Sequence, residues 1–173
     1  VGAFAVAGAF SDLCLKLLKP GGSDGRIYKR WAVLCGILAQ FEGEISPIRA
    51  QLLFSAVSLR LLDLLGYGPY FRACAHCGRA KGPTEVFYAP DRNGLVCLDC
   101  RPAVREALIR VPAHAMNLLQ FLRSASLSDI MRVTAPIELI ETVNVITREI
   151  CKHTPLDREP HGFTTIVRLT SNV

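Results

Sequence analysis

The sequence predicts a mainly α-helical domain with a four-cysteine hairpin inserted in its middle, and three observations predict it. Apolar residues recur at helical spacing on both sides of residues 67–101. Within 67–101 the period breaks, and glycine, proline and four cysteines gather around two short β-prone runs. The 173 residues are 50% hydrophobic, 8% aromatic and 20% charged, which suits a packed core and excludes a disordered acidic or low-complexity chain. Residues 1–173 therefore read as a single α-helical domain, with 67–101 as a zinc-finger insertion within it.

Phe4, Phe10, Leu13, Leu17 and Leu18 lie near helical spacing until Pro20-Gly21-Gly22 stops the pattern. The opening run Val1–Phe10 is apolar but ends at Asp12, short of the ~20 residues a bilayer span needs. A core helix is expected there and no membrane contact. Ser23 or Asp24 can cap a second helix through Tyr28, Trp31, Leu34, Cys35 and Leu38 to about Phe41, before Gly43. Ser46-Pro47 starts a third helix, since proline suits the first helical position and the serine oxygen accepts an orphan N–H. It runs through Leu52, Leu53, Val57, Leu61 and Leu64 to Gly66. Val86–Ala89 and Leu95–Cys97, joined through Asp91-Arg92-Asn93-Gly94, read as a hairpin. Pro102 opens a short helix, Pro112 another through Met116, Leu119 and Leu122, and Pro136 the last, through Ile140, Val143, Ile146 and Ile150. Pro155 and Pro160 precede a β-prone tail, 163–169.

Cys74-Ala-His-Cys77, nineteen residues from Gly78 to Val96, and Cys97-Leu-Asp-Cys100 fit the spacing of structural zinc sites. Each CxxC turn sets two thiolates on one side of a bend, and two facing bends supply four soft ligands to one Zn2+. The hairpin has few apolar residues, so chelation is expected to supply much of its folding free energy. Two disulfides would need an oxidising compartment, and a redox CxxC would need a βαβ setting. Four thiolates leave no open position for a catalytic water. His76 is the alternative ligand inside the first turn. Cys14, Cys35 and Cys151 sit on apolar stripes and read as buried thiols. Gly21-Gly-Ser23-Asp-Gly25 matches G-x-S-x-G in letters only, because a helix and Pro20 stand where that motif requires a strand. No residue is assigned a catalytic role.

The net charge of +5 is concentrated around the cysteines. Arg72, Arg79, Lys81, Arg92, Arg101, Arg105 and Arg110 surround or follow them and are candidates for contact with phosphate or with an acidic partner. Tyr67, Tyr70, Phe71, Phe87 and Tyr88 are nearby; most are expected to pack the hairpin on the helices. The odd cysteine count and the lack of a visible secretory leader point to a reducing cytoplasm.

Leu64-Leu-Gly-Tyr-Gly-Pro-Tyr70, then Cys74-Ala-His-Cys77-Gly78, Phe87-Tyr-Ala-Pro-Asp-Arg-Asn-Gly94 and Val96-Cys97-Leu-Asp-Cys100, resemble the bacterial recombination mediator RecO over roughly residues 45–101. Asn93 stands where the family usually has the first of two glycines, and Ala89 where serine is usual. The resemblance implies a non-enzymatic repair protein of the bacterial cytoplasm and nucleoid. It implies binding to single- and double-stranded DNA, strand annealing, and work with RecR to load RecA onto strands coated by single-strand-binding protein, whose acidic tail is a partner. It also implies an N-terminal OB-fold, and nothing here reads as that barrel, so this is a fragment or a divergent member. The other readings are a zinc-knuckle protein-interaction adaptor without DNA binding of its own and, third, a redox or hydrolytic enzyme.

Overall fold

A computed structural model of the protein describes residues 3–17, 25–40, 45–80 and 85–153. Leu18, the Pro20-Gly21-Gly22 stop, the Ser23 and Asp24 caps, Phe41, Gly43, Lys81 and the tail at 163–169 lie outside the described residues. Six α-helices are described: α1 (Ala3–Leu17), α2 (Gly25–Leu38), α3 (Pro47–Leu64), α4 (Ala113–Ser124), α5 (Leu127–Arg132) and α6 (Ile137–Lys152). Four strands lie between α3 and α4: β1 (Tyr70–Cys74), β2 (Val86–Ala89), β3 (Gly94–Cys97) and β4 (Ile109–Val111).

Helix α3 is the axis of the molecule. It starts as its sequence dictates, with Ser46 Oγ accepting from the Arg49 N–H and Pro47 in the first turn. It buries residues around its whole circumference, among them Leu52, Leu53, Phe54, Leu59 and Leu62, because α1, α4, α5 and α6 all pack on it. Each such side chain stabilises the fold by ~1.5–3 kcal/mol through removal from water. Its polar interruptions are mostly matched: Ser55 donates to Asn144 Oδ1 at 2.7 Å and Asn144 Nδ2 donates to Gln51, which fixes the register of α6 on α3. Ser58 Oγ is buried without a hydrogen-bond partner among the described residues.

At its C-terminal end α3 is bound to the strands. Arg123 of α4 forks onto the Asp63 carboxylate, with Nε to Oδ2 at 2.8 Å, and donates to the Pro69 carbonyl at 3.0 Å. Its guanidinium lies 5.2 Å from the Phe71 ring centroid. The Gly66–Pro69 turn must pass close by: Gly66 has φ of 83°, and a Cβ at Gly68 would stand 1.8 Å from Asp63 Oδ1.

The sheet has the order β1-β3-β2-β4. The expected hairpin is present as the antiparallel β2–β3 pair, with Val86 opposite Cys97 and Ala89 opposite Gly94. Strand β1 joins parallel to β3 and β4 antiparallel to β2. Side chains alternate between two cores. Phe71, Val86, Tyr88, Leu95 and Val111 belong to the helical core, while Phe87, Ala89 and Val96 meet Cys74 and Cys100 on the other side.

Three expectations are corrected. Pro102 does not open a helix: it sits inside a 3-10 segment, Leu98–Ala103, that continues from the second CxxC pair, and the chain then extends into β4. Of the five aromatics, Phe71 and Tyr88 pack towards the helices, Phe87 packs on the cysteine side, and Tyr67 and Tyr70 are exposed. Cys151 is buried, but Cys14 and Cys35 are only half-buried; burial pushes the Cys14 thiol up to about 11.

Candidate metal centre

Two tight bends build the site. In the first, the Gly78 N–H donates to the Cys74 carbonyl at 2.9 Å, and Gly78 takes a φ of 73° that few other residues tolerate. The bend is pinned to the sheet by Ala75 N–H to the Leu95 carbonyl and by Cys74 N–H to the Arg79 carbonyl. In the second, the Leu98–Ala103 3-10 turn follows directly from β3 and brings Cys97 and Cys100 over the first bend. The four Sγ atoms then lie within 4.8 Å of one another, with Cys77 and Cys97 at 3.9 Å. A tetrahedron of sulfurs around an ion at ~2.3 Å has edges of ~3.8 Å, so the donor set fits a four-thiolate metal ion.

The surroundings favour the thiolate at Cys74 and Cys77 and oppose it at Cys100. The backbone N–H groups of His76 and Cys97 both donate to Cys74 Sγ at 3.4 Å. Burial raises the Cys74 thiol, but the backbone N–H groups from Cys77, Cys97 and His76 outweigh it and leave it below its ordinary value. The Arg79 side chain, then its backbone, lowers Cys77 to about 6. The Cys97 thiol, with burial, pushes Cys100 up to about 12. Cys74 and Cys100 are buried, Cys97 is half-buried and Cys77 exposed, so the site opens to solvent on one side. Among the described residues the ligand group contains cysteines alone; His76 contributes a backbone donor and its ring is not part of it.

The basic residues divide into two sets. Arg79 pairs with Asp99 at 2.9 Å, which together with its hold on Cys77 clips one CxxC bend to the other. Arg92 pairs with Glu106, and Arg110 with Glu85 at 2.7 Å. Arg101 lies over Phe87, 4.9 Å from its ring centroid. Arg72 and Arg105 are exposed and have no ion pair among the described residues. Lys81 lies outside them.

Two further features escape the sequence reading. Asn93 adopts φ 45°, ψ 44° at the hairpin bend, donates from Nδ2 to the Tyr67 carbonyl at 2.9 Å and accepts from the Tyr88 hydroxyl at 3.0 Å. A side chain thus links the hairpin to the turn after α3, and the signal was the asparagine itself in a position of positive φ. A groove far from the cysteines, about 320 Å³, is lined by Phe10, Val33, Val57 and Leu127 with Lys29, Arg30 and Arg60 at its edge. Arg60 is held there by the Leu122 carbonyl at 2.9 Å and the Ala125 carbonyl, and burial followed by Arg30 lowers its pKa. Among the described residues no helix is long and apolar enough to cross a membrane.

Residues 2–157 match the family described as recombination protein O C terminal. The chain is 24% identical over 127 residues to the DNA repair protein RecO of Dehalococcoides mccartyi, covering 73% of this chain and 49% of that one. It is 35% identical over 115 residues to that of Roseiflexus sp., covering 65% and 39%. To that of Heliobacterium modesticaldum it is 28% identical over 151 residues, covering 84% and 52%. The chain spans about half the length of the curated relatives it matches. No solved structure gives a significant match.

Proposed function

The chain belongs to the recombination protein O C-terminal family, and from that premise we propose that it serves as a non-enzymatic DNA-repair and recombination mediator, binding DNA and partner proteins to promote strand annealing and RecA loading. Cys74, Cys77, Cys97 and Cys100 hold one structural Zn2+, which fixes the outer face of the sheet and leaves no coordination site for chemistry. DNA contact falls to Arg72, Arg101 and Arg105, with Lys81 of the same segment. Arg79, Arg92 and Arg110 already face Asp99, Glu106 and Glu85 and contribute less net charge.

The observation that carries this reading is the four-sulfur cluster set beside Arg72 and Arg105, which have no ion pair among the described residues. Such cations attract phosphate of any sequence and lose affinity as salt rises. Anisotropy of a labelled oligonucleotide titrated with the zinc-loaded chain tests it. The expectation is binding that falls steeply between low and moderate salt, weakened for all sequences by Arg101→Ala and by Arg105→Ala. Affinity unchanged in both variants removes those residues from the site, and no binding at low salt removes DNA contact from this chain.

A second reading has its own observation, the groove around Phe10, Val33, Val57 and Leu127. An apolar floor with Lys29, Arg30 and Arg60 beside it suits a short acidic peptide with hydrophobic residues, such as the tail of single-strand-binding protein. The chain then acts as a protein-interaction adaptor, with RecR as a further partner. Pull-down with single-strand-binding protein, intact and without its tail, separates the readings: capture that needs the tail and is lost in Arg30→Ala supports docking, and capture independent of the tail excludes it.

A further inference from the structure

A cleft of about 330 Å³ opens between β1 and α4, away from the groove above, lined by Tyr70, Phe71, Arg72, Gln120, Arg123 and Ser124. Alternation along β1 sends Phe71 inward, where its ring meets Tyr88 edge-on at 6.5 Å, and leaves Tyr70 54% exposed with Arg72 exposed beyond it. The two walls differ in charge. Arg123 is already committed to Asp63 and the Pro69 carbonyl, so it contributes rigidity rather than free charge. Arg72 has no ion pair among the described residues and brings the uncompensated cation.

We infer that this cleft is a one-nucleotide subsite for single-stranded nucleic acid, in which a base stacks on the Tyr70 ring and its phosphate pairs with Arg72. The inference rests on the DNA-binding reading above and deepens it, because the cations around the metal centre attract any phosphate whereas this cleft selects an unpaired base. In a duplex each base face is covered by its neighbours, so Tyr70 finds a partner only in a single strand. Side chains two apart on a strand stand about 6–7 Å from each other, the reach from a stacked base to its own phosphate. The platform is preformed: the Tyr70 N–H donates to the Asn93 carbonyl at 2.9 Å, and Pro69 is fixed by Arg123. Little ordering is needed on binding. Gln120 and the Ser124 hydroxyl, which donates to the Gln120 carbonyl at 3.0 Å, supply polar groups to the base edge. The cleft is too small for a helical peptide and close to the lower bound of small-ligand sites.

The test is anisotropy of a labelled oligothymidylate and of a duplex of equal length, with zinc-loaded chain carrying Tyr70→Ala, Tyr70→Phe or Arg72→Ala. The expectation is about a tenfold loss of single-strand affinity in Tyr70→Ala with duplex affinity unchanged, full retention in Tyr70→Phe, and a shallower salt dependence in Arg72→Ala. Photocrosslinking of the wild-type chain to an oligonucleotide bearing 5-iodouracil keeps the inference open to refutation if a variant folds poorly, and Tyr70 is the expected adduct. Equal losses on both nucleic acids, an unchanged Tyr70→Ala, adducts elsewhere only, or displacement of the strand by an acidic peptide at equal concentration overturns the subsite while leaving DNA binding intact. If wild-type chain binds no strand at low salt, the DNA-binding reading fails with it.

Discussion

The helical body and the outer face of the sheet are stabilised by different physics. Around α3 the body has a continuous apolar core in which Leu53, Phe54, Leu59 and Leu62 are almost wholly shielded. Across the sheet, the second cluster consists of Phe87, Ala89, Val96 and two of the cysteines. Burial of Phe87, Ala89 and Val96, with Val104 and Leu108 partly buried against them, is a small offset to the ordering of the loops above them, at ~1–2 kcal/mol per residue. The first region folds because its sequence is apolar at helical spacing; for the second, the proposal is that an ion held by the four cysteines takes the place of a core. The strands belong to both, since Tyr88 and Leu95 face the helices while Phe87 and Val96 face the cysteines.

Removal of the metal has the largest expected effect and acts on one side of this division. Zinc binding contributes an apparent ~10–16 kcal/mol in small zinc-folded peptides. After chelation, amides of Cys74–Arg79 and Cys97–Val104 are expected to exchange rapidly while those of α3 and α6 stay protected, as read by hydrogen-exchange mass spectrometry. Equal loss of protection in α3 would erase the distinction between the regions.

Core truncation is the reverse experiment. Phe54→Ala is expected to lower the unfolding free energy by ~3–5 kcal/mol and Leu59→Ala by ~2–5 kcal/mol, measured by urea denaturation of zinc-loaded chain, with zinc content unchanged in the folded fraction. The seam between the regions responds next. Gly68→Ala places a methyl against Asp63 and displaces the fork from Arg123, at an expected ~1–3 kcal/mol for charged hydrogen bonds left unmade. Asn93→Gly keeps the positive φ but strips the link to Tyr67 and Tyr88, costing about 1–2 kcal/mol. Asn93→Ala is expected to be lower by about 1 kcal/mol more, since its Cβ resists the left-handed region; equal midpoints for the two would show that side-chain bonding alone matters there. The smallest effect is Ser46→Ala, about 1 kcal/mol from the lost cap, read as a shift in midpoint with unchanged slope.

Much of this division was legible in the sequence, and the parts that were not share a cause. Ser46-Pro47, the apolar stripe of α3 and the paired CxxC spacing are local signals: the capped helix is present, and the four cysteine sulfurs lie together. Strands β1 and β4 escaped because their partners are distant in sequence and their few side chains are divided between two cores. Helix α5, at six residues, shows less than two turns of periodicity. Pro102 misled because proline at a helix start and proline within a short 3-10 turn look alike in sequence. The seven cations likewise look equivalent there. Only the fold shows that Arg79, Arg92 and Arg110 meet carboxylates fourteen to twenty-five residues away. The groove edge of Lys29, Arg30 and Arg60 joins residues of two helices and carries no signature in either.

The division of the molecule turns on whether Cys74, Cys77, Cys97 and Cys100 hold one zinc ion in place of a core. X-ray absorption at the zinc edge, on chain whose metal content has been measured, tests it most directly. The expected result is one zinc per chain with four sulfur neighbours at ~2.3 Å. Zinc absent from folded chain, or a shell with nitrogen or oxygen replacing sulfur, would contradict it.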